Sequence, residues 1–509
     1  MTDRKYPIGL QDFEKIRNTE SIYIDKTKYI HQLFERGSYY FLSRPRRFGK
    51  SLLISTLECL FQAKKELFTG LYIEDKWDWS VKYPIIRISF NNISHVEIGL
   101  NEGISRELDK IANSYQLLLT SDSNSGKFRE LILKLQPLGK VVILFDEYDK
   151  PILDYLGKND EIAIQNRDLI KVFYAILKDL DNCLQFLFIT GVTKFSKVSI
   201  FSELNNLTDL TLHPKYGGIC GITQTELEEN FKEELKIYSS DEIKIWYNGY
   251  TWDRKTHVYN PFSLIGFFES GEFKNFWFES GSPTFLINLM LKNGLYDVED
   301  VEIDGIIINE FNIINLNPFS VLFQAGYLTI KDYDALGDVY HLVSPNREVR
   351  QSLQIFLING YRNNAEKGTV PIVKRLHDTL KNNQLDNLTD IFNEIFAGLP
   401  YDLWEIQREK SYQAIIHLFF TLAGIYVKSE RGAVRVHTTR GRLDSVLEFE
   451  DKVFLFEFKL DKSAEEAITQ IEEKGYADRF KLAGKKCTII GINFIQEKRI
   501  VDGILWKEI

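Results

Sequence analysis

Residues 39–61, YYFLSRPRRFGKSLLISTLECLF, constrain this chain more than any other stretch. Tyr39, Tyr40, Phe41 and Leu42 form an apolar run that enters a basic turn, and the turn leads into a segment with helical spacing. Strand, Gly-Lys-Ser turn and helix is the layout in which loop N–H groups and a helix N-terminus face a chain of phosphates. In that layout Lys50 reaches the β- and γ-phosphates, and Ser51 ligates Mg²⁺. The pattern G-x-x-x-x-G-K-[ST] breaks at one place, because Arg44 stands where its first glycine belongs. An arginine takes a glycine-only conformation at a cost, so the loop is expected to follow another path, with guanidinium contacts in place of backbone ones. A lone Gly-Lys-Ser would favour a basic turn before a helix, so the rest of the chain must decide.

A second stretch favours the nucleotide reading. KVVILFDEYDKP (140–151) is an apolar strand ending in Asp146 and Glu147. There Asp146 is placed to orient Mg²⁺ through water and Glu147 to polarise an attacking water. YPIIRISF (83–90) and CLQFLFITGV (183–192) read as further buried strands, the latter ending in Thr190, a candidate sensor of the γ-phosphate. Helical patterns at 103–119, 127–139 and 166–180 separate them, and 193–212 is expected to return to a final strand. Strands alternating with helices predict an α/β fold with a parallel sheet covered on both faces. Ligands of such sheets lie at the carboxyl ends of the strands, where Ser51, Asp146, Glu147 and Thr190 would gather. The expected nucleotide contacts are Arg46, Arg47, Phe48, Gly49, Lys50, Ser51, Leu52, Asp146 and Thr190. Lys194 and Lys197 read better as solvated surface lysines.

Composition sets the outer bounds. A chain of 509 residues exceeds one core, and three regions are expected: 1–220 around the phosphate loop, 221–385 as a helical or mixed lid and connecting module, and 386–509. A net charge of −9 argues against a uniformly basic nucleic-acid coat and leaves local patches open. The four cysteines lie far apart without a C-x-x-C, as buried residues of a reducing compartment do. No apolar signal core and no run of 18 apolar residues is present, so no membrane is expected and cytoplasmic location is the default.

Residues 386–509 carry a second constellation. GRLDSVLEFEDKVFLFEFKLD (441–461) reads as a hairpin, with Asp444 opening the first strand and Glu457 and Lys459 on the second. Side chains alternate along a strand, so Glu457 and Lys459 share a face while Phe458 points away. Carboxylates that hold Mg²⁺ beside a lysine that stabilises or activates the attacking water suit phosphodiester cleavage. A helix expected at 406–424 holds Glu409, and one at 463–480 leaves Gln470 able to face back to the site. A plain surface ion pair is the alternative. Flanking core residues favour the functional reading, since charge amid apolar surroundings needs a partner or a task.

Taken together, YPIGLQDFEKIR, YIDKT, SRPRRFGKSLLISTL, LFDEYDKPI, ITGVTKFSKVSIFSELNN, WYNGY with VYNPFS, and GRLD with FEFKLDKSAEEAITQIEEKGYADRF carry a resemblance over nearly the whole chain. It resembles the bacterial and archaeal family that joins an AAA-ATPase-like domain to a C-terminal PD-(D/E)XK nuclease-superfamily domain, a restriction-endonuclease-like α/β fold. The resemblance implies ATP bound through Gly49, Lys50 and Ser51, with Asp146 and Glu147 acting on metal and water. It also implies nuclease roles for Asp444, Glu457 and Lys459, with metal at Asp444 and Glu457 and with Glu409 and Gln470 as helpers. Leu443 stands where the proline of the motif's name belongs, which the superfamily tolerates. The partner implied is nucleic acid, DNA ahead of RNA; oligomers are possible, and defence against foreign DNA is one task. The competing expectations are a nucleotide-switched nucleic-acid-binding or signalling protein that does not cut, and an ATP-driven remodeller of proteins.

Overall fold

The computed structural model describes all residues except 1–4, 195–203, 205, 281–283, 294, 296–297, 299, 309–310, 363–367, 398–414, 417, 424–436, 439–440, 443–444, 483, 496 and 499. Two compact units emerge: 1–280 with 299–348, and 281–298 with 349–509.

The first unit is built on five parallel strands: β1 (Tyr39–Ser43), β2 (Ile85–Ser89), β3 (Val141–Asp146), β4 (Leu184–Gly191) and β5 (Thr208–Asp209). Their spatial order is β2-β3-β4-β1-β5. β1 and β3 are buried along their whole length, as parallel strands covered on both faces must be. The register sets Leu42 beside Thr190, Ser43 beside Gly191 and Ser89 beside Asp146, so the strands reach their carboxyl ends at one common edge. Helix α1 (Lys50–Phe61) leaves that edge directly after the Gly49 turn. The fold class read from the alternation is the observed one.

Element boundaries moved where caps govern them. The helix expected at 127–139 runs over Asn124–Leu135, because the Ser123 hydroxyl accepts from the Gly126 N–H and starts it early. The helix expected at 166–180 runs over Asp160–Ala175, with the Asn159 side chain accepting from Ile162 N–H. The final strand expected within 193–212 is only the two-residue β5.

In the second unit, Ser445–Glu448, Lys452–Leu460, Lys486–Ile495 and Ile500–Glu508 form a four-stranded mixed sheet in that order. The first pair is antiparallel, the central pair parallel and the last antiparallel. A parallel pair needs a crossover, and Ala464–Lys474 supplies it. The helix expected to run on to residue 480 stops at Gly475, which takes φ 63°, and resumes as Asp478–Leu482. Val446, Val453, Leu455, Ile471, Tyr476 and Ile489 form the core between sheet and helix.

Candidate functional sites

The phosphate loop is shaped by what Arg44 does. Its side chain turns inward and is 1% exposed. Nη1 donates to the carbonyls of Ser43 (2.9 Å) and Thr211 (2.8 Å), and Nη2 to that of Tyr216 (3.3 Å). The guanidinium lies 4.2 Å from the centroid of the Trp252 ring, and burial pulls its pKa down to about 10. Arg44 therefore braces the back of the loop from the interior, instead of offering its charge to a phosphate. The positive φ of the loop falls at Arg47 (68°) and Gly49 (91°), not at Arg44, so Arg44 needs no glycine conformation.

Lys50 is 4% exposed, and its ammonium donates to the carbonyls of Arg44 (2.8 Å) and Pro45 (2.9 Å). Burial lowers its pKa, while Glu147, Asp146 and Asp149 raise it. The first N–H groups of α1 open beside it, where negative charge is stabilised. Phe48 points away from the loop mouth and packs edge-on against Tyr250 (4.7 Å) and Trp252 (5.3 Å), which leaves its backbone for the loop. Arg46 is exposed.

Asp146 is 3% exposed and accepts from the Thr190 hydroxyl at 2.7 Å. Thr190 is thus tied to the Asp146 carboxylate, which orients that group. Glu147 takes φ 52°, a costly backbone for a non-glycine residue, and is held there by bonds from Tyr148 N to Thr190 O and from Lys150 N to Glu147 O. Burial raises the Glu147 pKa, opposed by Lys50, which suits a group that must accept a proton.

Of these residues Lys50 and Glu147 line a cavity of about 230 Å³, together with Arg47, Gly49, Ser51 and Leu52, whereas Asp146 and Thr190 are not in its wall. Two further segments close it. Pro7 to Gln11 come from the N-terminal PIGLQDF stretch, and Pro261, Phe262 and Ile265 come from the Pro261–Ser270 helix. A smaller apolar cavity of about 80 Å³ shares Pro7, Gly49, Leu52, Pro261 and Ile265 with it and extends along Ile22, Tyr23, Ile24, Ile219 and Ile222. At its polar end Lys26 donates to Gly218 O (2.8 Å) and pairs with Glu226 (2.7 Å).

Sequence reasoning assigned no chemistry to three groups that matter here. Asp12 caps the Phe13–Asn18 helix and Phe13 N donates to Ser55 on α1 (2.9 Å), so PIGLQDF is pinned against the loop helix. Asp149, 1% exposed, accepts from Val192 N, Thr193 N and the Thr193 hydroxyl, fixing the chain beyond β4. Glu348 is buried and accepts from Ser263 (3.0 Å) and Trp277 N (2.8 Å), and burial pushes its carboxyl up to about 7. The doubled acidic pattern D-E-Y-D was the local signal for Asp149 and the helix-capping position that for Asp12, whereas the Phe13–Ser55 docking and Glu348 depend on contacts remote in sequence. Lys194 is neither a solvated lysine nor a cavity residue: it is 15% exposed and pairs with Asp209 at 2.6 Å. Lys197 lies outside the described residues.

In the second unit Glu457 is 3% exposed and accepts from Lys459 at 3.2 Å. Gln470, on the Ala464–Lys474 helix, donates to Glu457 and accepts from Lys459, so one amide orients both charges. Three of the expected residues therefore form one cluster on the sheet. Asp444 and Glu409 lie outside the described residues. Among the described residues no group of three or more His, Cys, Asp or Glu side chains is set to hold a metal ion. The described part of this cluster contributes the one carboxylate of Glu457, while the first unit offers the Ser51 hydroxyl and Asp146. Oxygen donors of this kind fit Mg²⁺, which takes few protein ligands and keeps water.

Residues 7–201 match the family described as a predicted AAA-ATPase, and residues 407–503 match the PD-(D/E)XK nuclease superfamily. An uncharacterized protein from the vnfD 5′ region of Azotobacter chroococcum mcd 1 is 39% identical over 520 residues, covering 99% of each chain. A likeness of that extent, with both domain matches in their expected order, makes this chain a member of the family that joins a predicted AAA-ATPase domain to a C-terminal PD-(D/E)XK nuclease-superfamily domain.

Proposed function

We propose that the chain binds and hydrolyses ATP with Mg²⁺ in its first unit, and cleaves nucleic-acid phosphodiester bonds with Mg²⁺ in its second. The observation that carries the first half is the cavity in which Gly49, Lys50 and Ser51 face Glu147. Mg²⁺, if held there, would neutralise charge on the phosphates. Lys50 and the α1 N–H groups bind the phosphates, and Ser51 and Asp146 hold the metal. Thr190 fixes the Asp146 carboxylate, and Glu147 orients water and accepts its proton. The apolar neighbouring cavity suits a nucleobase. It shares wall residues with the phosphate cavity, and Ile22, Ile24, Ile219 and Ile222 offer apolar contact.

In the second unit Glu457 holds the metal with Asp444, and Lys459 is poised for the scissile phosphate, with Gln470 setting both. DNA is the preferred substrate class, and destruction of foreign DNA is a task this pairing would serve. The alternative, nucleic-acid binding under nucleotide control without cutting, draws on the Glu457–Lys459 ion pair as a purely structural contact. Titration with a fluorescent ATP analogue tests the first half: Lys50→Ala is expected to lose most of the affinity, and unchanged binding would overturn the loop assignment. Gel shifts beside nicking assays test the second: Glu457→Ala is expected to bind DNA and not cut it.

A further inference from the structure

Phosphoryl transfer spreads negative charge over the moving group, and proteins commonly meet it with an arginine, supplied by the same chain or by a neighbour. Three arginines of the loop are in range by sequence, and the structure separates them. Arg44 is committed to the interior carbonyls and Trp252. Arg46 is exposed and does not line the cavity. Arg47 does line it, with Lys50, Ser51 and Glu147. It also adopts φ 68°, a conformation that persists in a non-glycine residue only where the surroundings enforce it. Its guanidinium lies 3.6 Å from the centroid of the Phe262 ring, itself part of the cavity wall, and Nη1 donates to Phe276 O at 3.3 Å. The Phe262 ring face and the Phe276 carbonyl hold the group at the cavity, and its charge acts on the buried Glu348 carboxyl. Glu348, bonded to Ser263 and Trp277 N, fixes the segment that carries both contacts.

The geometry points to Arg47 as the arginine that this chain supplies in cis to the transferring phosphoryl group, so that turnover needs no second subunit; this rests on the cavity being the ATP site. In the step, a water oxygen bonds to the γ-phosphorus and the bond from phosphorus to the β,γ-bridging oxygen breaks. The water's proton passes to Glu147 and then to solvent, leaving ADP and inorganic phosphate.

The test uses the full chain as wild type, Arg47→Ala and Arg47→Lys. Three quantities are measured with Mg²⁺: affinity for ADP, affinity for ADP with aluminium fluoride, and phosphate release across nanomolar to micromolar protein. Arg47→Ala is expected to keep ADP affinity, lose most of the added affinity that aluminium fluoride confers, and turn over roughly 10³-fold more slowly. Arg47→Lys, a point charge without the planar fork, is expected to recover a minor part. Wild-type activity per molecule is expected to stay constant with concentration and on mixing with Glu147→Gln copies. Turnover that survives Arg47→Ala, or activity that rises with concentration or is poisoned by Glu147→Gln copies, overturns the assignment. Wild type that binds ADP without hydrolysing ATP overturns it too. Loss of ADP binding in Lys50→Ala together with any of these leaves the nucleotide site standing and removes only the role of Arg47; wild type that fails to bind ADP removes the site itself.

Discussion

At the scale of single residues, two arginines in one loop have opposite tasks, set by where each side chain goes. Arg44 occupies the position of the usual motif's first glycine, yet its partners are Ser43, Thr211, Tyr216 and Trp252. Arg44→Gly would restore the common motif and leave the Thr211 and Tyr216 carbonyls, both remote in the chain, without their donor. The expected outcome is a loss of stability of about 3 kcal/mol with no gain in ATP turnover, read by thermal or denaturant unfolding beside phosphate release. A variant as stable as wild type would show that Arg44 is not the brace. Glu147 tests the chemistry itself. Its raised pKa and enforced left-handed backbone are unneeded in a structural carboxylate. Glu147→Gln is expected to bind ATP as wild type does and release no phosphate. Near-normal turnover in Glu147→Gln would exclude it as the proton acceptor.

At the scale of elements, the Pro261–Ser270 helix is one of the two segments that close the cavity, and Glu348 anchors it. Asn260 caps that helix by accepting from Phe262 and Ser263 N–H, and Glu348 accepts from Ser263 and Trp277 N. Burial pushes the Glu348 carboxyl in the folded protein up to about 7, from the 4.5 usual for a glutamate. The folded state therefore binds the proton more tightly than the unfolded chain, and stability from this group is full below about 4.5 and falls as pH rises through about 7. Unfolding free energy should drop by up to about 3 kcal/mol across that window. Glu348→Gln should remove that dependence, as followed by denaturant titrations at several pH values. A pH slope equal in both proteins would count against it. How much of this could be read beforehand depends on the range of the interaction. β1, α1 and β3 declare themselves because their signals are local: an apolar run, a Gly-Lys-Ser turn, an acidic strand end. The inward turn of Arg44, the docking of PIGLQDF on Ser55 and the Glu348 anchor are contacts between residues 42 to 167 positions apart or more, and no local pattern announces them. Two helices start earlier than apolar periodicity sets them, because the Ser123 and Asn159 side chains cap them. The C-terminal cluster was legible as far as Glu457, Lys459 and Gln470, because strand alternation sets the first two on one face and the crossover helix brings the third.

At the scale of the whole molecule, the unit that matches a predicted AAA-ATPase and the unit that matches the PD-(D/E)XK nuclease superfamily share a local arrangement. Each places a carboxylate, 3% exposed in the case of both Asp146 and Glu457, under the control of a neutral hydrogen-bonding side chain, Thr190 in one unit and Gln470 in the other. The hydrogen-bonding side chain orients each carboxylate, and Glu457 pairs in addition with Lys459. Gln470→Ala is thus expected to weaken cutting while leaving the fold intact, because Lys459 and Glu457 would then pair without an orienting amide; near-wild-type nicking in that variant would reduce Gln470 to packing. The most direct measurement for the account as a whole is nicking of supercoiled plasmid by the full chain with Mg²⁺ and ATP, comparing wild type with Glu457→Ala purified in parallel. The account predicts that wild type nicks the plasmid, that EDTA stops it and that Glu457→Ala is inactive. Equal nicking by both proteins would contradict it.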